Sequence, residues 1–318
     1  MKKHPEVGWG GTGFGHWILS FFLLACPLGR GEEVPALLAI IDTGVCPSQI
    51  TPENAQLGDA FVLEAGWDFV AGELLYKDDT GHGTHMSGIV WRQLQGLRAQ
   101  AGEATEGRPA LCMLRTGVAN LDPDHLVAAL QKLQTDLKDG RKVSVVLCSF
   151  SLERKKTSSK LFGEFRGLLE SLLSEGVVIV SATNGAGADL DALGEEESYL
   201  PGCLEHPNLL TIAACSDRGF PAPRASTGKK KVFASAVGRN VRSLWPKGQE
   251  KTLSGSSQAA ALVAAEAYHL LNRQENPVRP EDLREALTRQ GQLHPALLEQ
   301  TATGCFFSPV KPGQFKKE

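Results

Sequence analysis

The chain lacks three features that mark large classes of proteins. With 33 basic and 36 acidic residues, its formal net charge is −3, so no overall basic balance points to nucleic acid and we expect no nucleic-acid partner. None of its seven cysteines stands in a C-x-x-C spacing, which argues against a zinc ribbon or a thioredoxin-type motif. No apolar run reaches the length of about 20 residues that spans a bilayer. The content of 42% hydrophobic residues still provides the core of a globular protein.

The N-terminus carries a short apolar run behind a basic start. "MKK" opens the chain, and "WILSFFLLAC" runs from Trp17 to Cys26, which is typical of the apolar part of a signal peptide. The ending "LLAC" resembles the lipobox of bacterial lipoproteins, in which the cysteine, here Cys26, is acylated. The segment 1–26 is therefore predicted to be a signal, with 27–35 as a linker and the protein exported or lipid-anchored to a bacterial membrane. A buried apolar segment or a wrongly assigned start codon is the alternative, with a cytoplasmic location.

Short apolar runs alternate with helical patterns along the rest of the chain. Five runs are predicted to be buried parallel strands: Ala36–Asp42, Ala110–Thr116, Val143–Phe150, Gly176–Ala182 and Leu209–Cys215. Amphipathic helices are expected at Asp122–Lys138, where Asp122 is the predicted N-cap, and at Ser159–Ser174. The second helix is expected to bury Leu161, Phe165, Leu168 and Leu172. This alternation predicts an α/β fold with a mostly parallel central β-sheet and helices on both faces.

Three segments carry residues that could do chemistry, and each has an ordinary interpretation. "IIDTGV" places Asp42 where the first strand ends, and a strand-end aspartate is often a turn or cap residue. "DDTGHGTHMSGIV" holds His82 and His85 at a helical spacing that could bind a metal, although no familiar third ligand is nearby. "LSGSSQAAALVAA" opens a helix at Ser257, and a serine there is often an N-cap.

Together the three segments indicate acyl transfer. A serine nucleophile needs a base to remove its proton and a carboxylate to orient that base. A serine at a helix N-terminus presents its backbone N–H to a developing oxyanion. Gly81 and Gly83 allow another backbone to approach His82 closely. The chain order Asp, His, Ser is that of subtilisin, which differs from the orders in chymotrypsin and in the α/β-hydrolases.

These motifs resemble those of the subtilases, the subtilisin-like serine proteases. "AIIDTGV" is similar to the family's aspartate segment, "DDTGHGTHMSGIV" to its histidine segment and "SGSSQAAALVA" to its serine segment. The resemblance covers the chain from about Ala36 to the C-terminal tail. It implies a three-layer α/β/α peptidase domain at 36–310, followed by a tail at 311–318. The residues after Thr303 are expected to be irregular.

The resemblance also assigns roles to individual residues. It implies Ser257 as the nucleophile, His82 as the general base and then general acid, and Asp42 as the residue that orients His82, the three forming a hydrogen-bonded chain. His85 would be a packing residue. The substrate-binding residues Ser149, Phe150 and Ser151 would lie on an edge strand that pairs with an extended peptide.

Several positions depart from the family's pattern. The family's oxyanion-hole asparagine corresponds best to Asn184 in "VVIVSATNGAG", although an ungapped alignment puts Gly185 there. Gln258 and Ala261 replace the usual methionine and proline after the serine, and Ser151 replaces a usual glycine. The family's calcium-binding loop is not recognisable in "GLRAQAGEATEGRPA", so no metal and no cofactor are expected. Only about ten residues separate Cys26 from the first strand, too few for a folding-assistant propeptide.

The sequence therefore predicts a serine endopeptidase that acts on polypeptide substrates through an acyl-enzyme. It is expected to be a monomer, and a lipidated Cys26 would anchor it to a membrane. The alternative is a weak or inactive subtilase-like module that binds peptides without cleaving them, which the uncertain position of Asn184 and the altered residues after Ser257 favour. A hydrogen-bonded triad with the Asn184 amide facing it would distinguish the two.

Overall fold

The computed structural model describes residues 35–46, 60–62, 65–74, 77–102, 109–273 and 275–310. All of them belong to one unit, Pro35–Glu318. The predictions for the signal segment 1–26, for Cys26, for nearly all of the linker and for the tail 311–318 lie outside the described residues. Among the helices of the described part, none is both long enough and apolar enough to cross a membrane.

A nine-stranded sheet forms the centre of the described unit. The strands of this sheet are β1 (Leu37–Asp42), β2 (Trp67–Asp68), β3 (Ala110–Arg115), β4 (Val143–Cys148), β6 (Val178–Ala182), β8 (Leu209–Cys215), β9 (Val232–Val237), β12 (Gln292–Leu293) and β13 (Cys305–Phe307). They lie in the order β12-β13-β9-β8-β6-β4-β1-β3-β2, and all neighbours are parallel except β12 and β13. The five predicted strands are all present, with ends that differ by at most two residues.

Burial explains why these runs become strands. Every residue of β1, β3, β6, β8 and β9 is buried, as expected for parallel strands that are covered by helices on both faces. β4 lies between β1 and β6 in the middle of the sheet. The carboxyl ends of β1, β4 and β6 therefore stand side by side at one edge of the sheet, where active sites of α/β proteins collect.

Helices cover both faces of the sheet and complete three layers. The helices are α1 (His82–Gln100), α2 (Pro123–Lys138), α3 (Ser159–Ser174), α4 (Ser256–Asn272) and α5 (Leu283–Gln290). α1 and α4 pack on one face and α2 and α3 on the other, each pair with its own apolar core. α2 begins as predicted, because the Asp122 side chain accepts hydrogen bonds from the backbone N–H groups of Asp124 and His125.

Two expectations about local structure are wrong in part. α3 buries Phe165 and Leu172 as predicted, but Leu161 and Leu168 are only partly buried, and Phe162, Leu169 and Leu173 complete the buried face. Within the segment after Thr303, Cys305–Phe307 are not irregular, because they form β13, which adds to the sheet beside β9. A strand of three residues leaves only a weak signal in the sequence.

Two small antiparallel sheets lie outside the main one. β5 (Leu152–Glu153) pairs with β7 (Tyr199–Leu200). β10 (Val241–Trp245) pairs with β11 (Gln249–Leu253) in a hairpin that leads directly into α4. Ser243 of the hairpin donates a 2.7 Å hydrogen bond to the carbonyl of His85, which ties the hairpin to α1.

A buried polar pair joins α1 to α4. The Gln93 amide donates a 2.6 Å hydrogen bond to the Glu266 carboxyl group, and both side chains are buried. Burial raises the pKa of Glu266 to about 7, and the bond from Gln93 opposes this shift only in part. The folded protein therefore holds a proton on Glu266 that the unfolded chain releases above its ordinary pKa of about 4.3.

Replacing Glu266 with glutamine is expected to flatten part of the pH dependence of stability. Because the folded pKa is raised, wild type loses stability as the pH rises from the unfolded pKa to about 7, by roughly 3 kcal/mol in total. Glutamine has no proton to lose, so the free energy of unfolding of Glu266→Gln should not show this fall. Urea unfolding of both proteins at pH 5 and pH 8 measures the difference. An equal fall in both proteins would contradict the assignment.

Candidate active site

Asp42 ends β1 with its side chain almost fully buried. Its Oδ1 accepts a 2.7 Å hydrogen bond from the backbone N–H of Thr43 and lies 2.7 Å from Nδ1 of His82. Its Oδ2 is buried and has no partner among the described residues. The carboxylate is thus held by its own turn and directed at the imidazole ring.

His82 is the first residue of α1 and directly follows the segment Asp78–Gly81, here called the histidine loop. Gly81 before it has a φ of 90°, a backbone conformation that favours glycine. At Gly83 a side chain would lie 2.1 Å from the carbonyl oxygen of Gly44, so only glycine fits there. The glycines of the motif therefore bring the histidine loop against the turn Asp42–Gly44, here called the aspartate turn.

The negative charge of Asp42 sets the protonation of His82. The carboxylate raises the pKa of His82 above its ordinary value, and the direct hydrogen bond acts in the same direction against the effect of burial. Asp42 accepts the Nδ1 proton, so the neutral imidazole has its lone pair on Nε2. This is the tautomer that can take a proton from a hydroxyl group.

Asp78 is buried and holds the histidine loop together. Its Oδ1 accepts hydrogen bonds from the backbone N–H of Gly81 at 2.7 Å and from the hydroxyl of Thr43 at 3.1 Å. Its Oδ2 accepts from both the backbone N–H and the hydroxyl of Thr84, at 2.8 and 2.7 Å. One carboxylate therefore joins the two segments that carry Asp42 and His82.

Arg115 lies behind Asp42 in a buried cluster of charges. It is the register partner of Asp42 on β3, and its Nε donates a 3.1 Å hydrogen bond to the carbonyl of Thr43. Its two terminal nitrogens bind Asp68 at 2.7 Å and Asp79 at 2.8 Å. The guanidinium thus links β2, the aspartate turn and the histidine loop. The side chain of Arg115 is 4% exposed to solvent, and that of Asp68 is fully buried.

His85 lies one turn further along α1, and its environment differs from that of His82. Its ring is buried, Nε2 lies 3.0 Å from the carbonyl of Lys251, and burial lowers its pKa to about 4. It is therefore neutral at physiological pH, and it donates from Nε2 because a carbonyl can only accept. These contacts agree with the predicted packing role.

Ser257 is at the N-terminus of α4, beside the ends of two strands. Its hydroxyl donates a 3.2 Å hydrogen bond to the carbonyl of Ser149, the residue after β4. The neighbouring Ser256 donates to the carbonyl of Thr183, the residue after β6. Because β1, β4 and β6 are neighbours, Ser257 lies at the same edge of the sheet as Asp42 and His82. The structure thus contains the Asp42–His82 hydrogen bond of the expected chain, and the hydroxyl bond of its third member goes to Ser149.

Asn184 lies two residues after the end of β6, next to the contact between Thr183 and Ser256. The hydroxyl of Ser226 is 2.9 Å from its side-chain Oδ1 and 2.6 Å from its backbone carbonyl. The backbone N–H of Asn184 donates a 3.0 Å hydrogen bond to the Tyr199 hydroxyl. Ser226 thus binds the side-chain oxygen of Asn184 and not its amide nitrogen.

The predicted substrate-binding residues follow β4 rather than forming an edge strand. β4 ends at Cys148 and is an interior strand of the sheet, so the expectation of an edge strand is wrong. Ser149 is buried, whereas Phe150 and Ser151 are partly exposed. Phe150 packs towards Phe165 of α3, with ring centroids 6.2 Å apart. The three residues still adjoin the candidate nucleophile through the contact between Ser149 and Ser257.

Metal binding has no visible support in the described part of the chain. Within the ranges that the structure describes, no three His, Cys, Asp or Glu side chains gather in a way that could hold a metal ion. The expectation of no metal and no cofactor stays a prediction. The six cysteines from Cys46 to Cys305 are all free thiols.

Two residues of the site were not assigned roles from the sequence. Asp78 stands next to Asp79 in the histidine motif, and only the folded structure distinguishes them, because Asp78 is buried and its carboxylate accepts several hydrogen bonds. Arg115 stands at the end of an otherwise apolar strand. A lone charge in a fully buried run signals a paired group, but its partners come from distant segments.

Comparison with known proteins places the chain in a family. The model of the subtilase family matches residues 35–302. The "Minor extracellular protease Epr" of Bacillus subtilis is 25% identical over 252 residues, which cover 79% of this chain and 34% of that protein. "Subtilisin BL" of Lederbergia lenta is 26% identical over 250 residues, which cover 78% of both. The chain spans only about a third to a half of the length of several relatives that it matches.

Solved structures agree on the fold. A cold-adapted subtilisin-like serine proteinase superposes with a TM-score of 0.64 at 20% identity, covering 90% of this chain and 94% of that one. A lanthipeptide protease gives a TM-score of 0.66 at 17% identity, covering 86% and 85%. The three-layer α/β/α architecture is therefore the subtilisin-like one. With the family model matching most of its length, the chain belongs to the subtilase family.

Proposed function

We propose that this protein is a serine endopeptidase that hydrolyses peptide bonds through an acyl-enzyme. The observation that carries the proposal is the 2.7 Å contact between Asp42 and Nδ1 of His82, at the sheet edge where Ser257 opens α4. The family supports the same activity.

The proposed reaction begins with the Ser257 hydroxyl. Rotation about its Cα–Cβ bond would exchange the contact with Ser149 for one with Nε2 of His82, which would accept the proton as Oγ attacks the carbonyl carbon. Catalytic hydrogen bonds often form only in the substrate complex. His82 would then donate this proton to the leaving amine, while Asp42 stabilises the positive ring. Water would then attack the ester carbonyl while His82 accepts its proton, and His82 would return a proton to Oγ of Ser257 as the acid product leaves.

The developing oxyanion would be stabilised by two donors. The backbone N–H of Ser257 lies in the first turn of α4, where it has no partner within the helix and the helix dipole favours negative charge. The side-chain amide of Asn184 would be the second donor, because Ser226 orients its oxygen away. Ser149, Phe150 and Ser151 would contact the substrate residues before the scissile bond.

An endopeptidase assay tests the proposal. The purified chain is incubated in ¹⁸O-water with internally quenched peptides of mixed sequence, and the products are analysed by mass spectrometry. We expect internal cleavage with ¹⁸O in the new carboxyl group, and inhibition by a sulfonyl fluoride. The outcome that contradicts an endopeptidase is binding of peptides without any cleavage. That result would favour a peptide-binding module, for which the contact of the Ser257 hydroxyl with Ser149 is the supporting observation.

The pH profile is expected to report the pKa of His82. The base must be neutral to accept a proton, so kcat/KM should rise with pH through a midpoint above the ordinary value of about 6.5. Asp42→Asn removes the charge that raises this pKa, so its midpoint should move to lower pH while kcat falls about 10⁴-fold. Measuring kcat/KM from pH 5 to pH 9 checks both effects. An unchanged midpoint in Asp42→Asn would show that another group controls the profile.

Replacing Asn184 with alanine is expected to lower kcat by about 10²- to 10³-fold with little change in KM, because its amide would act on the transition state only. Ser226→Ala frees the amide without removing it and should give a smaller loss. Steady-state kinetics on one peptide measures both variants. Full activity in Asn184→Ala would mean that backbone groups alone form the oxyanion hole.

We further propose that the protein is exported and anchored through a lipidated Cys26. The "LLAC" ending supports this, and one relative is named an extracellular protease. Intact-mass analysis of protein from its native host tests it. A mature chain that begins at Cys26 with an added acyl mass is expected, and an unprocessed Met1 would refute export.

A further inference from the structure

The β10–β11 hairpin stands beside both residues of the proposed proton transfer. The Trp245 ring packs on Gly81, the residue before His82, so closely that a side chain at Gly81 would lie 2.5 Å from it. β11 ends at Leu253, four residues before Ser257. The hairpin therefore forms one wall of the space around His82 and Ser257.

The hairpin carries an excess of positive charge. Between Val241 and Leu253 it has three basic residues, Arg242, Lys247 and Lys251, and one acidic residue, Glu250. Glu250 is bound by two arginines at once, Arg242 and Arg92 of α1. Two arginines therefore share the one carboxylate of the hairpin, and the hairpin has more basic than acidic residues in a chain whose net charge is −3.

Lys251 holds one of these charges in a defined place. Its ammonium nitrogen lies 4.1 Å from the centroid of the Trp245 ring, a cation–π contact. Its backbone carbonyl accepts the hydrogen bond from His85, which fixes the strand on α1. The residue itself is exposed to solvent. A cation is thus positioned on the tryptophan that touches the histidine loop.

The outer edge of β11 is open for contact with another chain. β10 is the only neighbour of β11 among the described strands, and four of its five residues are exposed. An extended peptide can align with such an edge, since no second strand uses the backbone donors and acceptors of β11. The exception is the Lys251 carbonyl, which His85 binds.

The chemistry of the reaction places one half of the substrate here. His82 gives its proton to the leaving amine, so the residues after the scissile bond must begin next to His82. Ser149 and its neighbours occupy the other side of Ser257. The part of the substrate on the leaving-group side then faces Trp245 and Lys251.

We propose that the β10–β11 hairpin, through Lys251 on Trp245, selects substrates with acidic residues in the first positions after the scissile bond. This inference rests on the proposed endopeptidase function and adds a substrate class to it. The contact acts by charge complementarity at an exposed site, so its strength falls as salt rises.

Three internally quenched peptides test the inference with the full chain. They share one sequence except at two positions, one before and one after the scissile bond. Both positions hold glutamine in the first peptide. The second peptide has glutamate at the position after the bond, and the third has glutamate at the position before it. At low salt we expect kcat/KM about fivefold higher for the second peptide than for the first, and no gain for the third. The preference should shrink in 0.5 M NaCl and reverse in Lys251→Glu. For each protein the preference is the ratio of kcat/KM for the second peptide to that for the first, so a general change in activity cancels.

A charge-reversal control and a binding measurement complete the test. Lys160→Glu changes an exposed lysine on α3, in the opposite helical layer, and should leave the preference unchanged. Failure of the proposed function appears as no cleavage of any peptide, and fluorescence anisotropy with Ser257→Ala then measures the same preference as binding. Equal rates or equal affinities for the first two peptides, or a gain for the third, would overturn the inference.

Discussion

Replacing Ser257 with alanine is expected to lower kcat by about 10⁶-fold while peptide binding persists. Without Oγ no acyl-enzyme can form, and the loss of a nucleophilic serine in a triad has an effect of this size because the three residues act as a unit. The residue lies at the first turn of α4, so alanine should not disturb the fold. The measurement is kcat on a quenched peptide, with KM or the dissociation constant of the uncleaved peptide as the check on binding.

Ser256→Ala is the matched control for this variant. Ser256 precedes Ser257 on the same turn, but its hydroxyl donates to the carbonyl of Thr183 and faces the loop of Asn184. Its removal deletes one hydrogen bond that orients this loop, so we expect a loss of about tenfold or less. A drop in Ser256→Ala that equals that of Ser257→Ala, or substantial activity in Ser257→Ala, would contradict the assignment of the nucleophile.

Arg115→Met is expected to destabilise the fold by about 3–5 kcal/mol. The methionine has a similar length but leaves the carboxylate of Asp68 buried without its charge partner, and breaking a buried pair from one side has a cost of this size. It also removes the bond to the carbonyl of Thr43 that holds the aspartate turn. Urea unfolding near neutral pH measures the change in the free energy of unfolding.

Arg166→Met is the control for Arg115→Met. Arg166 pairs with Glu170 on the surface of α3, where both side chains are more than half exposed, so its removal should change stability by about 0.5 kcal/mol or less. If the two variants lost equal stability, the cluster of Arg115, Asp68 and Asp79 would not have the importance that its burial implies. Asp79→Asn, which removes only the partly exposed arm of the cluster, should fall between them.

The sequence predicted best what local patterns determine. The five interior strands are continuous apolar runs, and Asp122 with Pro123 marks the start of α2, so these elements could be located to within two residues. The motifs around Asp42, His82 and Ser257 also identified the residues that the structure brings to the ends of β1, β4 and β6. Their grouping follows from strand order in a parallel sheet, which the alternation of strands and helices implies.

Long-range contacts explain what the sequence did not predict. β13 is three residues long and becomes a strand only because β9 offers it an open edge. Arg115 binds partners that are 47 and 36 residues away in the chain, and no local pattern reveals such a cluster. On α3, Phe162 and Leu169 are buried in the core, whereas Leu161 and Leu168 pack against it and are only partly buried. Periodicity alone did not distinguish these neighbouring faces.

Labelling with a fluorophosphonate tests the central claim most directly. The purified chain is treated with the probe near pH 8 and digested, and the modified peptide is sequenced by mass spectrometry. We expect a single phosphonylated residue, Ser257, and a large loss of labelling in His82→Ala, because the hydroxyl is reactive only beside its base. Labelling of wild type at another serine, or equal labelling of wild type and Ser257→Ala, would contradict it.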